Sequence, residues 1–343
     1  MLRCIQLAKN GLGTTYPNPL VGCVIVHNNK VIGEGWHYKA GQPHAEVNAI
    51  AHVAHKKDLK EATLYVSLEP CNHFGATPPC SELIISSGIK RIVIGSKDPN
   101  PKVNGSGILK LKEAGCEVIH GVLSERCDDL NKRFNTYHQK KRPYIILKWA
   151  QTKDGFIAPQ DSQRAIKKKP IWISNEYSRQ WVHKLRSMEQ AILVGTRTVL
   201  MDNPSLTVRD WNGPSPIRIV IDRNLDIPKN ASVFDENSMT IIITEKEATN
   251  KDHLFYEKIC FTENFIDQVC DILHRHTIQS VIVEGGAKTL QSFIDANCWD
   301  ESFVFTSEMK LNTGISAPQF SGKLVSEENL KGDILQHYKN SGL

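Results

Sequence analysis

Two α/β domains in tandem, each built on a largely parallel sheet with helices on its faces, are the architecture this sequence predicts. Three observations lead there. β-branched runs alternate with helical stretches in both halves, the pattern of parallel strands joined by crossover helices. The alternation breaks once, at the basic stretch Lys140-Lys141-Arg142-Pro143. A chain of 343 residues also exceeds what one ordinary core organises. The expected domains are residues 1–140 and 143–343.

The elements follow in order. Leu7 to Gly11 closes a short helix. Gly22-Cys23-Val24-Ile25-Val26 reads as a strand, His27-Asn28-Asn29-Lys30 as a turn and Val31-Ile32-Gly33 as the returning strand of a hairpin. Glu46 to Ala54 is helical, Thr63 to Ser67 a strand, Ser81 to Ser87 a helix, Arg91 to Ile94 a strand, Ile108 to Ala114 a helix, and Glu117 to Ile119 a strand. A polar helix, Asp128 to Tyr137, leads to the basic linker. Beyond it, Tyr144–Lys148, Ala191–Gly195, Ile217–Asp222, Thr240–Ile243 and Ser280–Glu284 read as buried strands, and Glu176–Arg186 and Ala287–Asp295 as helices. Lys153-Asp154-Gly155 is a turn, and the polar stretch Ala158 to Lys169 a surface excursion.

Composition removes several function classes. A net charge of +5 suits an anionic small ligand but is too weak to argue for nucleic acid. No apolar run approaches the ~20 residues that span a bilayer, and Met1-Leu2-Arg3-Cys4 carries no apolar signal core. Nine irregularly spaced cysteines argue against a disulfide framework and for a reducing compartment, the cytoplasm. Cys4, Cys23, Cys116, Cys127, Cys260, Cys270 and Cys298 read as ordinary thiols, and Trp181, Trp211 and Trp299 as packing residues.

The chemistry lies in His44-Ala45-Glu46, Pro70-Cys71 and Pro79-Cys80. One imidazole and two thiolates bind zinc and leave a fourth position open. The adjacent glutamate supplies the acid/base group that such a site needs. H-x-E followed by P-C and a further cysteine is the pattern of zinc-dependent deaminases of amino-heterocycles. The expected reaction is hydrolytic loss of ammonia, with Glu46 moving the protons. The loop from Asn72 to Pro79 is longer than the two-residue spacer usual in nucleoside deaminases, but Gly75 and Pro78-Pro79 suit a reversal. A closed structural zinc site is the alternative, and His73 is its nearby candidate for a fourth ligand. Residues two apart on a helix diverge by roughly 200°. His44 and Glu46 can therefore share a metal only if the helix end faces the pocket.

In the second half, Val283-Glu284-Gly285-Gly286-Ala287 and Gly195-Thr196-Arg197-Thr198 are strand-to-helix turns that let backbone amides approach phosphate. Two such turns in one sheet suit an extended phosphate-bearing ligand, although G-x-G-x-x-G is absent. Asp202 to Arg209 adds a polar loop.

Together, these stretches resemble the bifunctional deaminase–reductases of riboflavin biosynthesis over nearly the whole chain. The matches are Tyr16–Val26, Gly41–Glu46, Leu68–Gly75, Thr77–Cys80 and Asp98–Pro101 in the first half. In the second they are Asp154-Gly155, Trp172–Ser174, Leu185-Arg186, Ala191–Thr198, Asp202–Arg209, Ile219–Asp222 and Val283–Gly286. The resemblance implies a cytidine-deaminase-like α/β/α sandwich followed by a dihydrofolate-reductase-like α/β domain. It implies deamination of a phosphorylated diaminopyrimidinone nucleotide, then NADPH-dependent reduction of its ribosyl group to ribityl. By position, His44, Cys71 and Cys80 would bind zinc and Glu46 would be catalytic. Asn18, His37, His73, Asp98 and Asn100 would line the pyrimidine and ribose-phosphate pocket. Arg186, Leu206, Arg209 and Glu284 would face the second substrate, and Trp172, Thr198, Asp202 and Gly286 would face NADPH. Related enzymes assemble through their reductase halves, which implies a homo-oligomer, dimer or tetramer, with no nucleic-acid or membrane partner.

Two positions depart from the family pattern. Ala76 stands where relatives place Lys or Arg, which removes a candidate phosphate contact that Lys102 would have to replace; Pro170 stands where many place serine. Pro170 and the Ala158–Lys169 stretch keep open a deaminase whose second domain is inactive or acts on another substrate. An editing deaminase of nucleic acid lacks support, because there is no basic stripe with interleaved aromatics. A non-catalytic zinc scaffold would give Glu46 nothing to do.

Overall fold

The computed structural model describes residues 1–74, 78–101, 103–160 and 171–342. Gly75, Ala76, Lys102, Pro170 and most of the expected 158–169 excursion lie outside them. The chain forms two compact units, Met1–Lys140 and Lys141–Leu343.

The first unit is a five-stranded sheet in the order β2-β1-β3-β4-β5. Its strands are β1 (Gly22–His27), β2 (Lys30–Trp36), β3 (Thr63–Leu68), β4 (Arg91–Ser96) and β5 (Glu117–His120). β3, β4 and β5 are parallel, whereas β1 runs antiparallel to both β2 and β3. The expectation of a largely parallel sheet therefore holds for only half of this sheet. The cause is the hairpin: Asn28 and Asn29 take left-handed backbone at φ 48° and 59°, as a tight two-residue turn requires. Helix α2 (Ala45–Ala51) lies across β2 with unusual closeness. A Cβ on Gly35 would sit 2.5 Å from the Ala49 backbone nitrogen and 2.7 Å from the Ala45 carbonyl oxygen. The core packs Ala45, Ala49 and Ile50 of α2 against Ile25, Leu64, Val66, Ile92 and Ile94.

The remaining helices are α1 (Leu2–Ala8), α3 (Cys80–Ser86), α4 (Ser106–Glu113), α5 (Ser124–Leu130) and α6 (Lys132–Lys140). The single polar helix expected over 128–137 is two helices broken at Asn131. That side chain is committed elsewhere: its Oδ1 accepts from Leu20 N–H at 2.8 Å and its Nδ2 donates to Leu20 O at 2.9 Å. The bond anchors the loop that carries Asn18.

The second unit is a nine-stranded sheet in the order β11-β10-β9-β8-β12-β6-β13-β16-β15. β6 (Tyr144–Thr152), β8 (Ala191–Gly195), β9 (Ile217–Ile221), β10 (Thr240–Thr244), β11 (Leu254–Lys258), β12 (Ser280–Val283) and β13 (Glu301–Ser307) are parallel. β16 (Asp333–Lys339) and β15 (Lys323–Leu330) close the sheet antiparallel. A separate ladder pairs β7 (Phe156–Ala158) with β14 (Ile315–Ser316). The five strands expected from apolar runs are present. β13 and β15 alternate too many polar residues to signal themselves, and β15 is exposed along nearly its whole length. Helices Glu176–Met188 and Ala287–Asp295 form as expected, and Phe265–Arg275 adds another.

Two smaller expectations change. Trp211 is exposed, with the Lys184 ammonium over its ring, whereas Trp299 is in the core. Arg142 is not a free linker charge: it forks onto Asp300 at 2.6 and 2.9 Å. No helix among the described residues is long and apolar enough to cross a membrane.

Gly35→Ala should lower the stability of the first unit by about 1–3 kcal/mol through overpacking. Thermal melting with zinc retention as a second readout checks this; an unchanged melting temperature would mean that α2 can move away from β2.

Candidate active sites

In the first unit, three ligand atoms converge. His44 Nδ1 lies 3.6 Å from Cys71 Sγ and 3.3 Å from Cys80 Sγ. All three lie within 4.8 Å of one another. Zinc bonds of about 2.0–2.1 Å to nitrogen and 2.3 Å to sulfur put the N···S edge of a tetrahedron at roughly 3.5 Å, so this donor set fits zinc. His73 is exposed and stands outside the trio, and among the described residues no other group of three His, Cys, Asp or Glu converges in this way. The cluster thus supplies three corners of a tetrahedron and leaves the fourth to a reactant.

The local fold explains the convergence. His44 is the N-cap of α2, with extended backbone at φ −72° and ψ 167°. It therefore stands before the helix and escapes the 200° divergence, while Glu46 enters from the first turn. Cys80 opens α3, where the helix dipole favours thiolate. The Cys80 backbone N–H also points at Cys71 Sγ, 3.4 Å away. Without a metal between them the two sulfurs oppose each other: their mutual hydrogen bond pulls Cys71 down and, with burial, pushes Cys80 up. Glu46 is 3% exposed and in hydrogen-bonding reach of Cys80; burial pushes its carboxyl up.

The expected pocket residues divide. Asn18 Nδ2 lies 3.0 Å from His37 Nε2, and His37 Nδ1 lies 3.2 Å from the Pro43 carbonyl. The carbonyl can only accept, so His37 is protonated on Nδ1 and accepts from Asn18 on Nε2. Its ring packs edge-on against His44 at 5.3 Å. Burial pulls His37 down, which keeps it neutral. Asp98 is buried and its carboxyl is pushed up to about 6 by that burial, against the Asn100 N–H that it accepts at 2.8 Å. Asn100 is half-buried.

Sequence reasoning missed what holds that loop. Glu69, 4% exposed, accepts four backbone N–H groups: Gly107 and Ile108 on Oε1 at 3.0 and 3.2 Å, Gly105 and Asp98 on Oε2 at 3.0 and 3.3 Å. One carboxylate caps α4 and fixes the segment bearing Asp98 and Asn100. Its signal was a lone acid between an apolar strand and Pro-Cys.

In the second unit, Arg186 forks onto Glu284 at 2.9 and 2.8 Å and donates to the Thr207 carbonyl at 3.3 Å. The guanidinium expected to face substrate is thus occupied in orienting Glu284. Lys148 Nζ sits 3.8 Å from Glu284 Oε2 and 5.7 Å from the Phe305 ring centroid. It too was missed, although it is the one charge in Tyr144-Ile145-Ile146-Leu147-Lys148-Trp149. Burial alone would raise the Glu284 carboxyl; Arg186 and Lys148 override it and hold it at about 2. Leu206 is corrected: its side chain is 3% exposed and packs with Val194, Val199 and Val220, so only its backbone, left-handed at φ 58°, is left to face a ligand. Arg209 is exposed, and its backbone N–H donates to His183 Nδ1 at 3.0 Å.

The residues expected at the cofactor cluster in part. β8 and β12 are adjacent and parallel, so their βα turns sit side by side. Gly285 is required there: a Cβ would lie 2.7 Å from Val194 Cβ. Gly286, at φ 67°, leaves a space whose nearest wall is Thr198 Oγ1, 3.4 Å from an added Cβ. This glycine cradle at the start of helix Ala287–Asp295 fits a pyrophosphate. Asp202 ends the helix Thr196–Asp202. Trp172 stands exposed with Arg179 4.7 Å over its ring.

Residues 1–96 match the family model for the cytidine and deoxycytidylate deaminase zinc-binding region, and residues 143–309 that for the RibD C-terminal domain. The riboflavin biosynthesis protein RibD of Aquifex aeolicus is 40% identical over 99% of this chain and 97% of its own. The chain belongs to the RibD family. The RibD of Actinobacillus pleuropneumoniae is 44% identical over 84% of this chain and 77% of its own. A Thermotoga maritima diaminohydroxyphosphoribosylaminopyrimidine deaminase/5-amino-6-(5-phosphoribosylamino)uracil reductase structure superposes with TM-score 0.89 at 39% identity, covering 99% of this chain and 97% of its own. The RibD-family chain is a bifunctional enzyme of riboflavin biosynthesis, a zinc-dependent deaminase and an NADPH-dependent reductase. Its first fold is cytidine-deaminase-like and its second dihydrofolate-reductase-like.

Two outcomes follow. Glu69→Gln presents N–H to amide donors, so it should cost about 1.5–3 kcal/mol and raise the deaminase KM while leaving the reductase reaction intact; parallel assays and melting check it. Two depressed values contribute to the acid stability of the second unit, beside those of Asp154, Asp235, Glu245 and His274. His183 is pulled down to about 4, first by burial and then by Arg186, and Glu284 is held at about 2. A depressed folded pKa means that the unfolded chain binds the proton first, so stability is lost as pH falls. Melting should decline from the ordinary histidine value of 6.5 toward 4, and further below the ordinary carboxyl value of 4.5. His183→Gln should flatten the first part of that decline.

Proposed function

We propose that residues 1–140 deaminate the phosphorylated diamino-ribosylaminopyrimidinone nucleotide and that residues 143–343 reduce the ribosyl group of the product to ribityl. The observation that carries the first assignment is the meeting of His44 Nδ1 with the Cys71 and Cys80 sulfurs beside the buried Glu46 carboxylate. His44, Cys71 and Cys80 hold the zinc, which when bound acts as a Lewis acid and makes water a nucleophile near neutral pH. Glu46 takes the proton from that water on a carboxylate oxygen and passes protons to the ring and then to the departing ammonia. Asn18, oriented by neutral His37, donates to the pyrimidine face; Asp98, Asn100 and His73 hold the rest of the nucleotide.

In the second unit NADPH supplies the hydride. Gly286 and Thr198 would hold its phosphates, and Trp172 and Asp202 would add contacts to it. Glu284, aimed by Arg186, and Lys148 beside it meet the opened sugar. The Leu206 backbone and Arg209 close the substrate side. The enzyme works as a homo-oligomer in the cytoplasm; the exposed edge strand β15 supports assembly through the second unit, because an unpaired edge offers free backbone donors and acceptors.

Ammonia and NADPH are followed separately with the diaminopyrimidinone nucleotide as substrate. Glu46→Gln should reduce ammonia release by about 10²–10⁴-fold, with zinc retained and NADPH oxidation intact on the deaminated product. Lys148→Met should do the reverse, leaving ammonia release and abolishing NADPH oxidation. If Glu46→Gln deaminates at the wild-type rate, the first assignment fails; if Lys148→Met reduces normally, Lys148 has no part in the second.

A further inference from the structure

The second unit contains a thiol pair outside both catalytic sites. Cys270 Sγ, on the helix Phe265–Arg275, lies 3.6 Å from Cys298 Sγ, in the turn that follows the helix Ala287–Asp295. Cys270 is buried, while Cys298 is only half-buried beneath the exposed residues Ala296 and Asn297. The turn is well defined: Asn297 takes left-handed backbone at φ 49°, and Cys298 N–H donates to Phe293 O at 2.9 Å. Arg142, fixed by its fork onto Asp300, places its guanidinium charge where it acts on both sulfurs. A half-buried cysteine near a cation, with a second thiol in contact, is the arrangement of an oxidisable cysteine and its resolving partner.

We propose that Cys298 and Cys270 are a modification site for hydroperoxides, at which Cys298 is oxidised first and Cys270 resolves it to an intramolecular disulfide. The Cys298 thiolate attacks the terminal peroxide oxygen, the O–O bond breaks, and the leaving oxygen departs after protonation, as water from hydrogen peroxide or as the alcohol from an organic hydroperoxide. The Cys298 sulfenic acid then takes the Cys270 sulfur, an S–S bond forms, and the hydroxyl leaves as water with the Cys270 proton. The two thiols lose two electrons and the peroxide gains them. The order follows from the environments. The hydrogen bond from Cys270 and the charge of Arg142 hold Cys298 below the ordinary thiol range, against burial, Asp300 and Asp267. Cys270 is pushed up as the donor of that bond and by burial. Disulfide closure would tie the helix Phe265–Arg275 to the turn that follows the helix Ala287–Asp295.

The test uses the zinc-loaded full chain treated with hydrogen peroxide, alkylated and mapped by mass spectrometry. The expected result is a Cys270–Cys298 linked peptide, released by a thiol reductant, with Cys298 consumed at least tenfold faster than the exposed Cys260, which has Thr262 but no cysteine partner. In Cys270→Ser, Cys298 should be trapped as a sulfenic acid by a dimedone-type probe. The proposal is overturned if Cys270 and Cys298 stay alkylatable while Cys260 oxidises, or if Cys71 and Cys80 link while this pair remains reduced.

Discussion

Three ligand atoms meet because two helices begin where they do. His44 caps α2 and Cys80 opens α3, so both point from helix N-termini into one space, and Cys71 reaches it from the chain beyond β3. The positive ends of the two helices favour the anionic sulfurs. The close seating of α2 on Gly35 fixes how deeply His44 and Glu46 enter. Because His44 precedes the helix as its N-cap, a histidine and a glutamate two residues apart can serve one metal.

Around this centre, buried polar groups hold the loops by their backbones. Asn131 grips both the N–H and the carbonyl of Leu20, and Glu69 gathers four N–H groups of the 98–108 segment. Each is a fully satisfied polar contact in a low-dielectric interior, where an unmet donor would be costly. The second unit uses the same device with charge: the two cations Arg186 and Lys148 flank Glu284 and keep it ionised. In both units, buried side chains behind the loops set the loops' positions.

What could be read from the chain beforehand follows this division. Apolar runs such as Ala191–Gly195 and Ser280–Val283 announced central strands, and His44, Cys71, Cys80 and Glu46 announced zinc chemistry by residue type and order. The edges escaped, because β15 has no buried face and so no period to detect. The roles of Glu69, Lys148 and Asn131 escaped because each depends on partners far along the chain. Leu206 illustrates the converse: the family resemblance implied a substrate contact, but its side chain completes the core. Cys270 and Cys298 looked ordinary, being 28 residues apart, until the fold brought them together.

The central claim is that the protein fills three corners of a tetrahedron and leaves the fourth to a reactant. X-ray absorption at the zinc edge of the purified enzyme measures this directly. The account predicts two sulfur neighbours at about 2.3 Å and two light-atom neighbours at about 2.0–2.1 Å, of which only one shows imidazole scattering and the other exchanges on adding a substrate analogue. A second imidazole, or a shell that a substrate analogue leaves unchanged, would contradict it.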